Sequence, residues 1–350
     1  MTRRPSALVP LLLVAALVGA LLAAYRIWWH AGGQALVVYC AHDAVFAGAV
    51  LDEFTRRTGI PVSVRYDSEA TKSLGLLERI IQEGDHPQCD VLWNNEALGT
   101  MDLESRGLLA GYLGPGWKRQ PLAFKSAQGM WAGFAARLRV LIVNTTRLQP
   151  DQDAVRQRLA GELSRVAIAK PLYGTTLTHY STLWSVFGGE RLQAWHGDCR
   201  ARGIREVDGN GMVKVLVAAG TCDLGFTDTD DYFEAVDDKK SVAMLPARLG
   251  DVIPGAGEGT ILIPNTVAIM QGAAHRQAAE ALVDFLLSSD AELMLARSAS
   301  RQIPLGPIGD AALPDEVRRL LPFAAQAAPV ANLLAARTPC LAWLKKLYAP

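Results

Sequence analysis

No long basic run, no C-x-x-C pair and no recognised catalytic motif occurs in this 350-residue chain. The 35 Lys and Arg balance 35 Asp and Glu, so the formal net charge is zero. Without a Lys/Arg cluster to neutralise phosphates, nucleic acid is a poor candidate partner. The lack of C-x-x-C leaves a zinc or thioredoxin-like site without support. G-x-S-x-G, H-E-x-x-H and Walker A patterns are missing too. The chain therefore reads as a non-enzyme with no resident cofactor. Aromatic residues make up only 7% and scatter as core. Cysteine is scarce: Cys40, Cys89, Cys199, Cys222 and Cys340. An odd number leaves at least one thiol free or intermolecular. Cys199 with Cys222 is the more reasonable disulfide.

Long apolar runs are rare as well, with one exception at the start. Arg3 and Arg4 precede Ala7 to Ala24, which is wholly apolar or small. That is the charged and apolar pattern of an export signal, and it is also just long enough to span a bilayer. The two arginines favour an inside N-terminus, so the body lies outside the cytoplasm either way. Ala31-Gly32-Gly33 offers a late cleavage site, while Arg26, Trp28 and Trp29 suit an uncleaved anchor. Cleavage and anchoring both remain open, and the expected location is periplasmic.

What the chain does have is a recurrent pattern. Short apolar runs end in polar clusters: Leu36–Tyr39 in Cys40-Ala41-His42-Asp43, Asp90–Trp93 in Asn94-Asn95-Glu96. Val166–Ala169 leads to Gly174-Thr175-Thr176, and Leu224–Phe226 to Thr227-Asp228-Thr229-Asp230-Asp231. Such runs read as buried parallel strands. Amphipathic stretches at 46–58, 68–82 and 98–109 alternate with them, as βαβ units require. Ligands in open α/β sheets bind beyond the carboxyl ends of the strands. Two clusters in each half predict one ligand between two lobes. Ala135 to Asn144 and Gly259 to Met270 are extended stretches suited to crossing between them. The expected organisation is an export segment at 1–33, a first lobe at 34–138, a second lobe at 139–265, a return to the first at 266–310, and a helical tail at 311–350.

These residues, in this order, resemble the substrate-binding proteins of bacterial ABC importers, in the group that includes ferric-iron-binding proteins. The resemblance runs from about Leu36 to Pro304. It rests on Val38–Asp43, Phe54-x-x-x-Thr58-Gly59-Ile60-Pro61-Val62, Asp67–Lys72, Cys89–Glu96, Gly174–His179, Asp208–Val213 and Gly225–Asp231. It implies a type II two-lobed fold, hinge closure on a solute, an ABC permease as partner, and a monomer. Ferric-binding members hold iron with a His and a Glu from the first lobe and paired Tyr from the second. His42 and Glu96 resemble the first two, each displaced by one residue. The paired tyrosines are absent, and Thr227-Asp228-Thr229-Asp230-Asp231 occupies their place.

Ferric ion prefers oxygen donors and tolerates imidazole, so His42, Glu96 and Asp228 form the expected metal set. Thr71, Asn95, Thr175, Thr176, Asn210, Thr227 and Asp230 complete the expected ligand contacts. For Asp43, capping of the following helix is favoured over ligand contact. Asp231 reads as an acid at a helix start. Helix N-termini at Gly174 and Asn210 suit an anion, and Arg137 and Arg139 add charge there or form structural ion pairs. Ferric iron, with or without an anion, is the leading ligand. A phosphonate or small phosphorylated compound, and a ligand-sensing partner of a membrane receptor, are the alternatives.

Overall fold

The computed structural model describes residues 35–67, 74–253, 259–328 and 333–349. The expected leader, its anchor or cleavage site, and Thr71 lie outside these residues. Among the described residues no helix is long and apolar enough to cross a membrane.

Among the described residues ten strands follow the chain: β1 Leu36–Cys40, β2 Val62–Tyr66, β3 Val91–Asn94, β4 Leu109–Ala110, β5 Ala132–Asn144, β6 Val166–Ala169, β7 Arg205–Val207, β8 Leu224–Asp228, β9 Val242–Pro246 and β10 Leu262–Met270. They pair in the order β2-β1-β3-β10-β5-β8-β6-β7, with β4 on β10 and β9 on β5. The β1, β2 and β3 strands are parallel, as are β6, β7 and β8. β5 and β10 run antiparallel between the two parallel groups. The expected crossing is therefore a strand shared by two sheets. Residues 132–138 of β5 pair with β10, and residues 139–144 with β8 and β9. All thirteen residues of β5 are buried.

The helices form where apolar side chains recur on one face. Ala44–Thr58 buries Phe46, Ala47, Val50, Leu51 and Phe54. It stops at Gly59, whose φ of 72° brings its amide to the Thr55 carbonyl, a left-handed termination that glycine tolerates best. The second-lobe helix at the site runs Gly174–Phe187. Gly174-Thr175-Thr176 thus forms its first turn, as the helix start read from sequence requires. Helices Gln152–Ala160 and Gly189–Ala201 and strands β7 and β9 were not legible as elements. Their weak amphipathicity or shortness left no clear period to read.

Each sheet carries its own core. Val38, Trp93, Phe134, Val267 and Leu282 centre one, and Leu141, Val166, Ile168, Tyr180 and Phe226 the other. The expected disulfide is not formed: Cys199 and Cys222 are buried thiols. Cys199 packs with Leu141 and Ile168, Cys222 with Ile142 and Ala167. Strand alternation puts those two sets on opposite faces of the second sheet, so the sulfurs cannot meet.

Candidate functional site

Register in the shared strand builds the centre of the site. β5 and β8 pair so that Arg139 lies opposite Asp228. Arg139 Nη1 donates to Asp228 Oδ1 at 2.8 Å, with both side chains buried. Two residues earlier on the same face of β5, Arg137 Nη1 donates to Asp230 Oδ2 at 3.2 Å. Thr175 Oγ1 and Asn210 Nδ2 donate to the other Asp228 oxygen at 2.6 and 2.9 Å. Three separate elements thus converge on one carboxylate.

Around this centre lies a cavity of about 80 Å³. Its second-lobe wall is Lys170, Tyr173 to Thr176, Gly209 to Gly211, Asp228, Asp230, Asp231 and Glu234. From the first lobe come Asp43, Phe46 and Asn95, with Arg137 from the crossing strand. Across the whole lining five acids face two bases, with Arg137 and Arg139 already paired to Asp230 and Asp228. The first turns of Gly174–Phe187 and Asn210–Ala218 also open here, and their unshared amides favour negative charge.

Asp228, Asp230 and Asp231 each offer an oxygen within 4.8 Å of the others. Burial pushes the Asp231 carboxyl up to about 7, and the neighbouring Asp230 and Asp228 charges add to it. The Thr227 hydroxyl, donating to Asp231 Oδ2 at 2.6 Å, works the other way. Burial also works against the Arg137 guanidinium, but Asp230 and Asp228 outweigh it and raise its pKa.

Of the residues expected from sequence, Asn95, Thr175, Thr176, Asn210, Asp228 and Asp230 line the cavity. Thr227 sits behind it, buried and bonded to Asp231. His42 and Glu96 are buried but are not among the lining residues. His42 stacks on Trp93 at 5.6 Å, and its Nε2 lies 3.0 Å from Gln302 Nε2. Gln302 continues to Asn265, which clamps the Ala135 carbonyl where the β5–β10 register shifts. Glu96 folds back on its own helix, Leu98–Ser105, accepting from the Leu98 and Gly99 amides at 2.5 and 2.8 Å. Burial raises its pKa, against the pull of those amides. Asp43 occupies the N-cap position, but its side chain makes no capping bond and faces the cavity instead. The Phe46 and Ala47 amides go to its backbone carbonyl.

Lys170, Tyr173 and Glu234 join the wall without having been singled out as contacts. Lys170 directly follows β6, and Glu234 lies one helical turn beyond Asp230. The strand-end rule and the i, i+4 spacing were the signals available. The Tyr173 hydroxyl donates to the Asp208 carbonyl at 2.7 Å.

A polar cavity between two α/β sheets joined by a shared strand defines a two-lobed binding protein of type II architecture. The chain belongs to the bacterial extracellular solute-binding proteins, whose family model matches residues 36–298. Iron uptake protein A1 of Synechocystis sp. is 27% identical over 254 residues, covering 70% of this chain and 69% of that protein. Iron-bound HitA from Pseudomonas aeruginosa superposes with a TM-score of 0.73 at 20% identity, over 90% of this chain and 99% of that one. AfuA from Actinobacillus pleuropneumoniae, solved with fructose-6-phosphate bound, gives 0.72 at 17% identity over 89% and 98%.

Proposed function

We propose that this protein captures ferric iron in the periplasm and delivers it to an ABC permease, acting as a monomer. In this reading 34–138 with 266–310 forms the first lobe, 139–265 the second, and the leader exports or anchors the chain. The observation that carries it is the convergence of Asp228, Asp230 and Asp231 on one cavity. Three carboxylate oxygens match the preference of a hard trivalent cation. The relatives named above for iron uptake and iron binding agree with it.

In this reading Asp228 and Asp230 hold the ion with Asp231. Thr175, Thr176 and Asn210 orient the carboxylates or a companion anion at the helix starts. Asn95, Asp43 and Phe46 close over it from the first lobe. His42 and Glu96 support the hinge and the lid rather than coordinate. Glu96 would have to release two backbone amides to bind metal, which disfavours it. Entry of the cation displaces the Asp231 proton and loosens both arginine ion pairs.

Size separates this from a larger solute. About 80 Å³ is well below the roughly 300–1,000 Å³ of pockets for drug-sized ligands. A small phosphonate or phosphate ester is the second reading, favoured by two helix starts and Arg137 on the same wall.

The test is metal analysis and native mass spectrometry of protein from its own periplasm, followed by titration with ferric citrate and with phosphonates. One ferric ion per chain, lost in Asp230→Ala, supports the reading. Because carboxylates dominate the wall, the holoprotein should lack the strong visible colour of tyrosinate–iron. An intense colour that bleaches in Tyr173→Phe would move the site toward that tyrosine. Tight phosphonate binding without iron uptake would favour the second reading.

A further inference from the structure

The C-terminal helix Leu333–Leu347 touches both lobes. Its larger anchorage is on the second. Cys340 and Leu344 are fully buried in that core, and Trp343 lies 6.0 Å from Trp184 and 5.6 Å from His196. Just beyond the helix, the Tyr348 hydroxyl is 3.2 Å from His196 Nε2 and donates to Glu206. The helix packs along Gly174–Phe187, the helix whose first turn lines the cavity.

Its other end reaches the first lobe. Leu333 is buried against Ala97 and Leu98. Arg337 Nη1 lies 3.4 Å from Asp102 Oδ2, with side chains only 13% and 16% exposed. Both contacts fall on the segment that begins with Asn95 and Glu96 and continues as Leu98–Ser105. The same segment meets the second lobe directly, through Thr178 Oγ1 donating to Glu96 Oε2 at 3.2 Å. Arg337 also pulls the Glu96 pKa down by its charge. Neither Leu333 nor Arg337 lines the cavity.

We propose that the C-terminal helix is a strap that sets the resting separation of the two lobes, with Leu333 and Arg337 as positioning residues that hold the first-lobe lid against the second lobe. A ligand gains from closure only in proportion to how populated the closed form already is. Residues remote from the cavity therefore tune affinity. The second-lobe anchorage is extensive, whereas among the described residues the first-lobe anchorage rests on Leu333 and the Arg337–Asp102 pair, so the strap gives way at its first-lobe end.

Val45 and Met212 stand on the two lips beside the cavity and are exposed, while the native cysteines are buried. Spin labels on Val45→Cys and Met212→Cys in the full chain report the lip-to-lip distance without any ligand. Arg337→Met, Asp102→Asn and Leu333→Ala should each widen that distance. Ferric affinity, measured with ferric citrate, should fall by about threefold to tenfold. Arg337→Met keeps the aliphatic stem, and Asp102→Asn breaks the same ion pair from the opposite side together with the local Asp102–Arg106 pair, so the test survives if Leu333→Ala does not fold. Unchanged distances in both Arg337→Met and Asp102→Asn would overturn the strap. The distance readout needs no iron, so it stands or falls apart from the ferric reading.

Discussion

The two walls of the cleft are built on different principles. On the first-lobe side, His42, Asn94 and Glu96 spend most of their hydrogen bonds on their own lobe, with one from Thr178 reaching Glu96 across the cleft. Glu96 caps Leu98–Ser105, Asn94 bonds to Glu96 and Thr100, and His42 leans on Trp93 and Gln302. On the second-lobe side, Asp228, Asp230 and Asp231 crowd together and are held by partners from β5 and from two helix starts. One wall is a satisfied lid and the other a charged cradle. Glu96 is held by backbone amides, whereas Asp228 is held by the side chains of Arg139, Thr175 and Asn210, which a cation could displace by rotation rather than by unwinding a helix start.

The sharpest break of this comparison is Asp228→Ala. It strands the buried Arg139 guanidinium, and loss of one partner of a buried pair costs about 3–5 kcal/mol. Urea denaturation should show that loss together with abolished binding. If stability holds while binding disappears, the cradle is less structural than its geometry indicates.

Glu96→Ala tests the other wall. Leaving helix-start amides without their acceptor should cost about 1–3 kcal/mol. Ferric affinity should stay within about threefold once protein still folded is compared, because closure rather than coordination is affected. Loss of all binding at unchanged melting temperature would return Glu96 to the ligand set.

Protonation provides a third contrast. The Asp231 carboxyl titrates near 7 when folded, against a reference value of 3.8. The folded state therefore holds this proton more tightly than the unfolded chain does. The contribution is present in full below about pH 4 and is lost as pH rises through about 7. Ligand-free protein should melt lower at pH 8 than at pH 5, and Asp231→Asn should flatten that slope. A cation filling the cradle should also remove it, with proton release measurable by calorimetry in buffers of different ionisation enthalpy.

The smallest expected effect lies where the walls meet. Thr178→Val removes the hydroxyl that donates to Glu96 across the lobes. A single hydrogen bond contributes about 0.5–1.5 kcal/mol, so a small drop in melting temperature and a modest loss of affinity should follow. A larger affinity loss than in Asp230→Ala would invert the assignment of lid and cradle.

Much of this was present in local sequence. Short apolar runs located β1, β3, β6 and β8, long extended stretches located β5 and β10, and helical spacing of Phe46, Val50 and Phe54 located the first helix. All are short-range consequences of burial on a strand or on one helix face, and they are why the strand-end clusters could be found. Six of the residues expected as contacts line one cavity. The walls could not be told apart in the same way, since His42 and Glu96 look as ligand-like in sequence as Asp228 does. What separates them is where their bonds go. The Arg139–Asp228 pair joins residues 89 positions apart, and Gln302 reaches His42 across 260. Nothing in either neighbourhood encodes the partner. Sequence placed polar residues at the ends of strands because periodicity is local. Tertiary structure alone decided which carboxylates are held by helix-start amides and which are held by side chains around the cavity, because that depends on strand register and on long-range pairing.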